Sequence, residues 1–231
     1  MSLTFTFTDT SSVLSSDFFP RIQLDDSERG YELGLLSFES YNSVPNVDAE
    51  NNEFHFDDGK KVVIPIGIYE VNDIASFIKR HLKSIPGEAY AIDFVTNNNT
   101  LQVGIRANFK IDFKQERSIG RLLGFPRVVI EPNYWFFSTS VDIFKVNSIQ
   151  VECNIVTGSY VNGRSAHAIH QFFPTIPAGY KIVETPTPVI YLPVTTQSID
   201  NITLRVVDQE GRLVDFRGER ITVRLHLRKG L

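Results

Sequence analysis

Two histidines three residues apart, His167 and His170 in the stretch AHAIHQFF, have the clearest metal-binding spacing in this chain. On a helix, this spacing would place both imidazoles on one face, where they could share an ion. On a strand, the same spacing sends them to opposite faces. Phe172, Phe173 and Pro174 follow and favour a strand, and no third ligand is nearby in the sequence. We therefore expect two separate histidines and no metal site.

A second group of possible ligands surrounds Gly211 in the stretch DQEGRLVDF, where Asp208, Glu210 and Asp215 loosely resemble a calcium loop. The EF-hand series D-x-[DN]-x-[DN]-G is absent, and so is the distal glutamate that binds the ion with both oxygens. We interpret the stretch as a charged hairpin turn. The following FRGER stretch has the same interpretation, with Gly218 relieving a tight turn.

The motifs of common enzyme classes are absent from the sequence. It has no G-x-S-x-G elbow, P-loop, dinucleotide-binding glycine pattern, H-E-x-x-H or C-x-x-C. The neighbouring carboxylates Asp25-Asp26 and Asp57-Asp58 point in different directions and fit solvated loop charges. The single cysteine, Cys153, lies in the alternating context IQVECNI, which predicts a buried thiol and a reducing compartment. We expect no enzyme activity and no cofactor.

Charge and hydropathy limit the partners of the chain. The net charge of −4 over 231 residues argues against nucleic-acid binding by bulk electrostatics. No apolar run approaches the ~18 residues that a transmembrane helix needs, so we expect no membrane span. The start, MSLTFTFTDTSS, lacks the basic and apolar regions of a signal peptide, so we expect a protein that is made inside the cell and is not secreted.

Alternation with a period of two dominates the sequence and predicts many half-buried strands. In LTFTFT, Leu3, Phe5 and Phe7 share one face. From Tyr31 to Tyr41 the alternation slips phase at Leu36, which predicts a long strand with a β-bulge. The other predicted strands cover residues 54–56, 62–64, 134–137, 149–155, 167–172, 181–183, 189–192, 202–207 and 221–227. Gly, Pro, Asn and Asp turns between them favour a sandwich or barrel.

One region, residues 67–130, departs from this pattern. Apolar residues at helical spacing predict a helix over 71–82, with Asn72 or Asp73 near its start. A hairpin follows, with Asn97-Asn98-Asn99 suited to a turn of positive φ. SIGRLLGF then predicts a short helix. We therefore expect residues 1–66 and 131–231 to form a mainly β sandwich, interrupted by a small inserted α+β subdomain over 67–130.

The C-terminal stretch ITVRLHLRKGL predicts a strand with an apolar inward face and a basic outward stripe formed by Arg224, His226 and Arg228. We expect residues 202–207 to form the partner strand. The stripe has two interpretations that stay open. It is solvated surface or a protected edge, or it faces an acidic partner or nucleic acid.

Several phrases read together are more specific than any one of them: GYELGLLSFESYNSVPNV, VVIPIGIYEVNDIASFIKRHL, SIGRLLGF, IVTGSYVNGRSAHAIHQFFP, VIYLPV and VVDQEGRLVDFRGERITVRLHLRK. Together they resemble the minor capsid, or penton, proteins of Polinton/Maverick elements and adintoviruses, which are related to virophage penton proteins. The resemblance touches nearly the whole chain.

That resemblance implies a single jelly-roll β-sandwich that assembles as a homopentamer at the vertices of an icosahedral virion capsid. Its implied neighbours are trimeric double-jelly-roll major capsid proteins. The chain lacks the long basic N-terminal arm with which many small capsid proteins hold genomes. A shell-forming role is therefore favoured over direct packaging of nucleic acid.

A capsid role directs attention to aromatic and charged residues that could contact other subunits. The aromatic runs SSDFFP, NYWFFSTS and HQFFP are predicted in loops, and interfaces favour aromatic residues and Arg. The candidate anchors are Tyr134, Trp135, Phe136 and Phe137. The candidate rim consists of Asp208, Glu210, Arg212, Arg217, Glu219 and Arg220. The alternative function is a carbohydrate- or receptor-binding jelly roll without a shell-forming role, which would use surface aromatics such as Trp135 or Tyr160.

Overall fold

The computed structural model describes residues 1–25, 30–57, 59–143, 146–161, 163–177 and 179–230. Its elements in chain order are β1 Ser2–Asp9, β2 Val13–Gln23, β3 Tyr31–Tyr41, β4 Glu53–Phe56, β5 Lys60–Val63, α1 Val71–Lys83, β6 Ile92–Asn97, β7 Gln102–Ala107, β8 Ile111–Asp112, β9 Val129–Ile130, β10 Phe136–Phe137, β11 Ile149–Cys153, β12 Ser159–Val161, β13 Arg164–Ala166, β14 Ala168–Phe172, β15 Lys181–Glu184, β16 Tyr191–Pro193, β17 Ser198–Asp208 and β18 Ile221–Lys229. Asp26 and Asp58 of the carboxylate pairs lie outside the described residues.

The chain divides into two compact units, which we call the sandwich unit (residues 1–44 and 146–231) and the insertion unit (residues 45–145). The sequence pattern instead predicts that the insertion begins at residue 67 and ends at residue 130, so the observed insertion unit is longer at both ends. β4, β5 and β10 therefore lie in the insertion unit, although their sequences were assigned to the sandwich. The physical reason is burial, because Phe54, Phe56 and Val62 belong to the separate core of the insertion unit.

The sandwich unit is built from two large antiparallel sheets, beside the small β12-β13 hairpin. One has the order β1-β18-β3-β15, with β16 also paired to β3, and the other has the order β14-β11-β17-β2. β15 and β16 pair with successive parts of β3 and fill one strand position. Numbered along the chain, the eight positions run 1-8-3-6 and 2-7-4-5. This order defines a jelly roll, so the fold class is the predicted one: a mainly β, single jelly-roll sandwich.

The predicted pairing of the last two long strands is wrong. β18 pairs with β1 and β3, whereas β17 pairs with β11 and β2 in the opposite sheet. Leu204 and Val206 of β17 and Val223 and Leu225 of β18 do share one core, but they approach it from opposite sides. Alternation identifies the buried face of a strand and not its neighbour, which is why the sequence suggested a hairpin.

β3 contains the bulge that its sequence predicts. Its register against β18 shifts between Arg224 and Leu225, where these residues pair with Ser37 and Leu35. Leu36 is the extra residue on the bulged strand. The strand thereby returns its apolar residues to the core after the phase slip.

The insertion unit is built on α1 and two small antiparallel sheets, β10-β7-β6 and β5-β4-β8-β9. The predicted helix is confirmed and buries Ile74, Ile78 and Leu82 at helical spacing. It begins after Glu70, which forms a capping box with Asp73; the Asp73 carboxylate accepts a hydrogen bond from the Glu70 N–H at 3.0 Å. With 13 residues, α1 cannot cross a bilayer, and no helix of the described residues is long and apolar enough to do so.

The hairpin of the insertion unit, β6 and β7, is confirmed, although the positive φ falls on Leu101 rather than on an asparagine. The predicted short helix is wrong. SIGRLLGF forms turns that contain isolated backbone hydrogen bonds, such as the one that the Leu123 N–H donates to the Ile119 carbonyl at 3.2 Å. Gly124 then reverses the chain at a φ of 78°, so the segment ends before a regular helix is established.

Candidate assembly surfaces

The connection from β17 to β18 begins with the predicted charged turn: Val207 forms an antiparallel bridge with Leu213, and the N–H of Asp208 donates to the Arg212 carbonyl at 2.8 Å. Beyond this turn the connection crosses to the other sheet, so the turn does not join β17 and β18 as a hairpin. Asp208 at its start is buried. Its carboxylate accepts hydrogen bonds from the backbone N–H groups of Glu210 (2.8 Å) and Arg212 (3.0 Å) and from Nε of Arg212 (2.8 Å). Burial alone would raise the pKa of Asp208, but these hydrogen bonds outweigh it and lower the pKa. Asp208 caps the turn.

The rest of this connection has an inward and an outward side. Val214 and Phe216 are buried in the sandwich core and fix the connection to it. Arg217 and Gly218 then reverse the chain with φ values of 55° and 76°. The exposed members of the candidate rim are Glu210, Arg212, Arg217, Glu219 and Arg220. They present both signs of charge on a connection whose backbone is held by buried side chains.

In the candidate basic stripe on β18, Arg224 and His226 have different surroundings. Arg224 is exposed and has no ion pair among the described residues. His226 is half-buried, and both of its ring nitrogens have hydrogen-bond partners. Nε2 lies 2.8 Å from Oγ of Ser2, and Nδ1 lies 2.8 Å from Oη of Tyr191. The imidazole therefore links β1, β16 and β18.

Arg228 is held in a similar way. Its guanidinium carbon lies 3.6 Å from the centroid of the Tyr191 ring, and Nη2 lies 3.2 Å from Oε2 of Glu32. The side chain is half-buried and its charge is balanced within the same unit. Of the three stripe residues, Arg224 is thus the one whose charge is exposed to a partner.

The candidate anchors 134–137 lie in the insertion unit. Tyr134, Trp135 and Phe137 are exposed, at 73%, 39% and 58%. Phe136 faces the other way, and its ring packs 6.1 Å from Phe125 against the core of the insertion unit. Since consecutive strand residues point to opposite faces, only part of the run is available to a partner.

The exposed rings of Trp135 and Phe137 contact each other and residues of the β10-β7-β6 sheet. The rings of Trp135 and Phe137 are nearly parallel, with centroids 6.0 Å apart and an interplanar angle of 20°. Arg106 lies over the Trp135 ring at 4.9 Å and binds Asp93 at 3.0 Å. Phe137 covers Gly104, where a Cβ would lie 2.6 Å from Cε1 of the ring. The glycine allows the aromatic ring to lie on the sheet.

The two histidines considered as metal ligands have separate partners. Nδ1 of His167 lies 2.6 Å from the carbonyl oxygen of Val156, and Nε2 of His170 lies 2.9 Å from Oε1 of Glu184. Within the described residues, no group of three or more His, Cys, Asp or Glu side chains could hold a metal ion. Cys153 is buried as predicted, and burial raises the pKa of its thiol to about 11.

An open hollow of about 600 Å³ in the insertion unit is lined mainly by polar residues. Nζ of Lys60 donates to Oη of Tyr90 at 2.6 Å, and Tyr90 donates to Oδ2 of Asp57 at 3.0 Å. The hydrogen bond to Tyr90 raises the pKa of Lys60. The lining groups are thus bonded mainly to one another.

Sequence reasoning missed β2, and with it Phe19, which is fully exposed (102%). The SSDFFP run was predicted as a loop, because Asp17 and Pro20 interrupt its apolar pattern. A usable signal was present nonetheless, since two successive phenylalanines in a strand face opposite sides and one of them must leave the core. Further exposed apolar residues of the sandwich unit are Tyr41, Tyr160, Phe173, Tyr180, Val183, Ile190 and Leu213.

Fold and surface together define a single jelly roll with an insertion between its third and fourth strands, and with aromatic residues exposed on both units. Among solved structures, the chain is similar to the crystal structure of the selenomethionine-labelled penton protein of mavirus. The similarity covers 100% of both chains with a TM-score of 0.51 at 10% sequence identity, and it establishes the shared fold. No protein-family model and no curated protein sequence matches the chain.

Proposed function

We propose that this protein is a structural capsid protein that assembles as a homopentameric penton at the vertices of an icosahedral shell. The observation that carries the proposal is the similarity of fold to the mavirus penton protein over the full length of both chains. The sequence phrases that resemble penton proteins of Polinton/Maverick elements and adintoviruses support the same role and the finer assignment to that group.

The jelly roll offers the two different surfaces that a closed ring needs. In cyclic symmetry each subunit joins one surface to a different surface of the next subunit. In the sandwich unit, β1 and β2 form one lateral edge of the two sheets, and β14, β15 and β16 form the other. The hydrogen bond between His170 and Glu184 links the two sheets at the second edge.

The candidate residues supply different parts of the proposed contacts. Interfaces place polar residues at a solvent-accessible rim around an apolar centre. The exposed side chains of Glu210, Arg212, Arg217, Glu219 and Arg220 suit such a rim. Tyr134, Trp135 and Phe137 are assigned to contacts of the insertion unit with a neighbouring subunit. Phe136 and Asp208 support these surfaces from inside.

The proposed partners outside the pentamer are double-jelly-roll major capsid proteins, and the proposed location is the virion capsid. The exposed charge of Arg224 suits an acidic neighbouring subunit. Nucleic acid at the shell interior is a weaker proposal, because Arg228 is already paired with Glu32 and the net charge is −4. The proposed role is assembly and includes no enzyme activity.

A second candidate function is a carbohydrate- or receptor-binding jelly roll without a shell-forming role. The nearly parallel, exposed rings of Trp135 and Phe137 favour it, because flat aromatic faces can stack on apolar ligand faces. This function requires no ring and predicts a monomer or trimer with measurable glycan affinity.

Mass photometry of the purified protein over a range of concentrations tests the two functions. If the capsid proposal is right, we expect a species with five times the 26.2 kDa chain mass. The fraction of protein in this species should rise with concentration. A strict monomer at high concentration that binds glycans would support the second function and contradict the first.

A further inference from the structure

Phe19 exposes its whole side chain on β2, the edge strand of the β14-β11-β17-β2 sheet. A single exposed hydrophobic residue is ordinary on a protein surface. A fully exposed phenylalanine on a firmly held strand is a better anchor for a partner, because little conformational entropy is lost when it is buried. The significance of Phe19 therefore depends on how β2 holds it.

β2 holds Phe19 from both sides. The strand pairs with β17 up to Asp17 and again from Ile22, and the residues between them bulge. Phe18 turns inward, where its ring meets Phe5 edge to face at 5.4 Å and packs against the sandwich core. Bulges at sheet edges commonly re-aim a side chain. Here one phenylalanine packs against the core and the next one points into solvent.

The opposite lateral edge of the same fold is rich in exposed apolar side chains. It contains β14 and β15, and Phe173 follows the first strand directly while Tyr180 precedes the second. The exposed apolar residues within or next to β14, β15 and β16 are Phe173, Tyr180, Val183 and Ile190. A second copy could therefore bury Phe19 among them, provided that subunits join unlike edges.

The charges beside these apolar residues also suit such a contact. Asp17 and Arg21 lie two residues to either side of Phe19. On the opposite edge, Val183 pairs with Glu39, which forms an ion pair with Lys181. Glu39 is already paired with Lys181, so the charge that remains for the contact is that of Arg21, which is exposed and has no ion pair among the described residues. Across the contact it can join the Glu39 carboxylate of the next copy.

We propose that Phe19 is the central anchor of the contact between neighbouring subunits and inserts among the apolar residues of the β14–β15 edge of the next copy. This inference rests on the proposed ring assembly and adds its partner surface. Anchor residues of this kind carry a large share of the binding energy of an interface.

The test compares wild-type protein with Phe19→Ala and Phe19→Asp by mass photometry. Phe19→Ala should leave the melting temperature of the monomer unchanged, because the side chain is fully exposed. It should weaken ring formation about 30-fold, the effect of an interface hot spot, and Phe19→Asp should weaken it further. Ile66→Ala is the control, since Ile66 is also an exposed apolar residue but lies in the insertion unit, outside both lateral edges of the sandwich unit.

A cross-linking variant locates the partner edge. With Asp17→Cys and Val183→Cys together, which leave Phe19 in place, a bis-maleimide should produce a ladder of covalent multimers, and each single variant should stop at a dimer at most. The buried native Cys153 does not compete. No ladder in the double variant would exclude the proposed edge.

The outcomes separate this inference from the proposed function. If wild-type protein forms rings and Phe19→Ala forms them equally well, the anchor role is wrong while ring assembly stands. If wild-type protein is monomeric at all concentrations, ring assembly and the anchor role both fail.

Discussion

The guanidinium group of Arg228 lies over the ring of Tyr191, with its central carbon 3.6 Å from the ring centroid, while its Nη2 lies 3.2 Å from Oε2 of Glu32. The three residues come from β18, β16 and β3. From the sequence alone, Arg228 is a free cation that a partner could bind. In the structure its side chain instead connects three strands of its own sheet.

Replacing Arg228 should therefore cost more stability than replacing its neighbour on the stripe. Arg228→Gln removes a half-buried ion pair and the contact with an aromatic face, and we expect a loss of about 1 kcal/mol in the free energy of unfolding. Arg224→Gln, on the same strand and face, should stay within about 0.5 kcal/mol. Urea unfolding measures the free energy of unfolding of both variants. Equal losses of stability would contradict the structural role of Arg228.

Asp208 should contribute stability that depends on pH. Its pKa is lowered in the folded protein, so its contribution is complete above the unfolded pKa of about 3.9 and is lost as the pH falls through the folded pKa. Asp208→Asn should reduce the free energy of unfolding by about 1–3 kcal/mol at pH 7. The gap between wild type and variant should narrow as the pH falls below about 3.9.

The matched control for Asp208 is Glu210→Gln, which changes an exposed carboxylate of the same turn and should have little effect. Denaturant unfolding at neutral and acidic pH measures both variants. A gap for Asp208→Asn that stays constant with pH would show that the carboxylate charge is unimportant.

Alanine substitutions at two glycines of the insertion unit distinguish the cost of a left-handed backbone from the cost of a steric clash. Gly124 and Gly87 have φ values of 78° and 80°. A Cβ at position 124 would lie 2.4 Å from the carbonyl oxygen of Ser140, whereas one at position 87 meets nothing within 4 Å. Gly87→Ala should cost about 1–2 kcal/mol for the left-handed backbone. Gly124→Ala should cost about 1–3 kcal/mol more in thermal or denaturant unfolding, because the backbone must also move; similar losses would contradict this.

The rim is tested by reversing two of its charges. The double variant Arg217→Glu, Arg220→Glu should fold normally, because both side chains are exposed. It should form fewer pentamers and particles, because the rim of each contact would carry like charges. Lys83→Glu, Lys114→Glu is the control with the same change in net charge on exposed residues of the insertion unit. Assembly at wild-type yield in the rim variant would remove the turn from the interface.

The sequence predicted the parts of this fold that depend on local pattern. The bulge in β3 follows from the phase slip at Leu36, and α1 follows from its apolar spacing. The partners of strands depend on distant residues, and here the sequence was wrong. Only twelve residues separate the end of β17 from Ile221, where β18 begins. Phe216 in this connection is buried in the sandwich core, and the connection leads to the other sheet.

For the candidate surfaces, the sequence likewise predicted which side chains are exposed and did not predict their partners. The alternation along β18 indicated which residues leave the core, but Glu32 and Tyr191 come from strands far away in sequence and could not be inferred as partners of Arg228. Phe19 was missed because Pro20 and Asp17 weaken the strand signal of β2. The bulge accommodates Pro20 at the edge of the sheet, where Pro is tolerated, and Asp17 is the last paired residue before it.

Electron microscopy of the purified protein tests the central claim most directly. We expect class averages with five jelly rolls joined edge to edge in a closed ring, at a particle mass five times that of the 26.2 kDa chain. Particles that remain monomeric at high concentration, or rings with a different number of subunits, would contradict it.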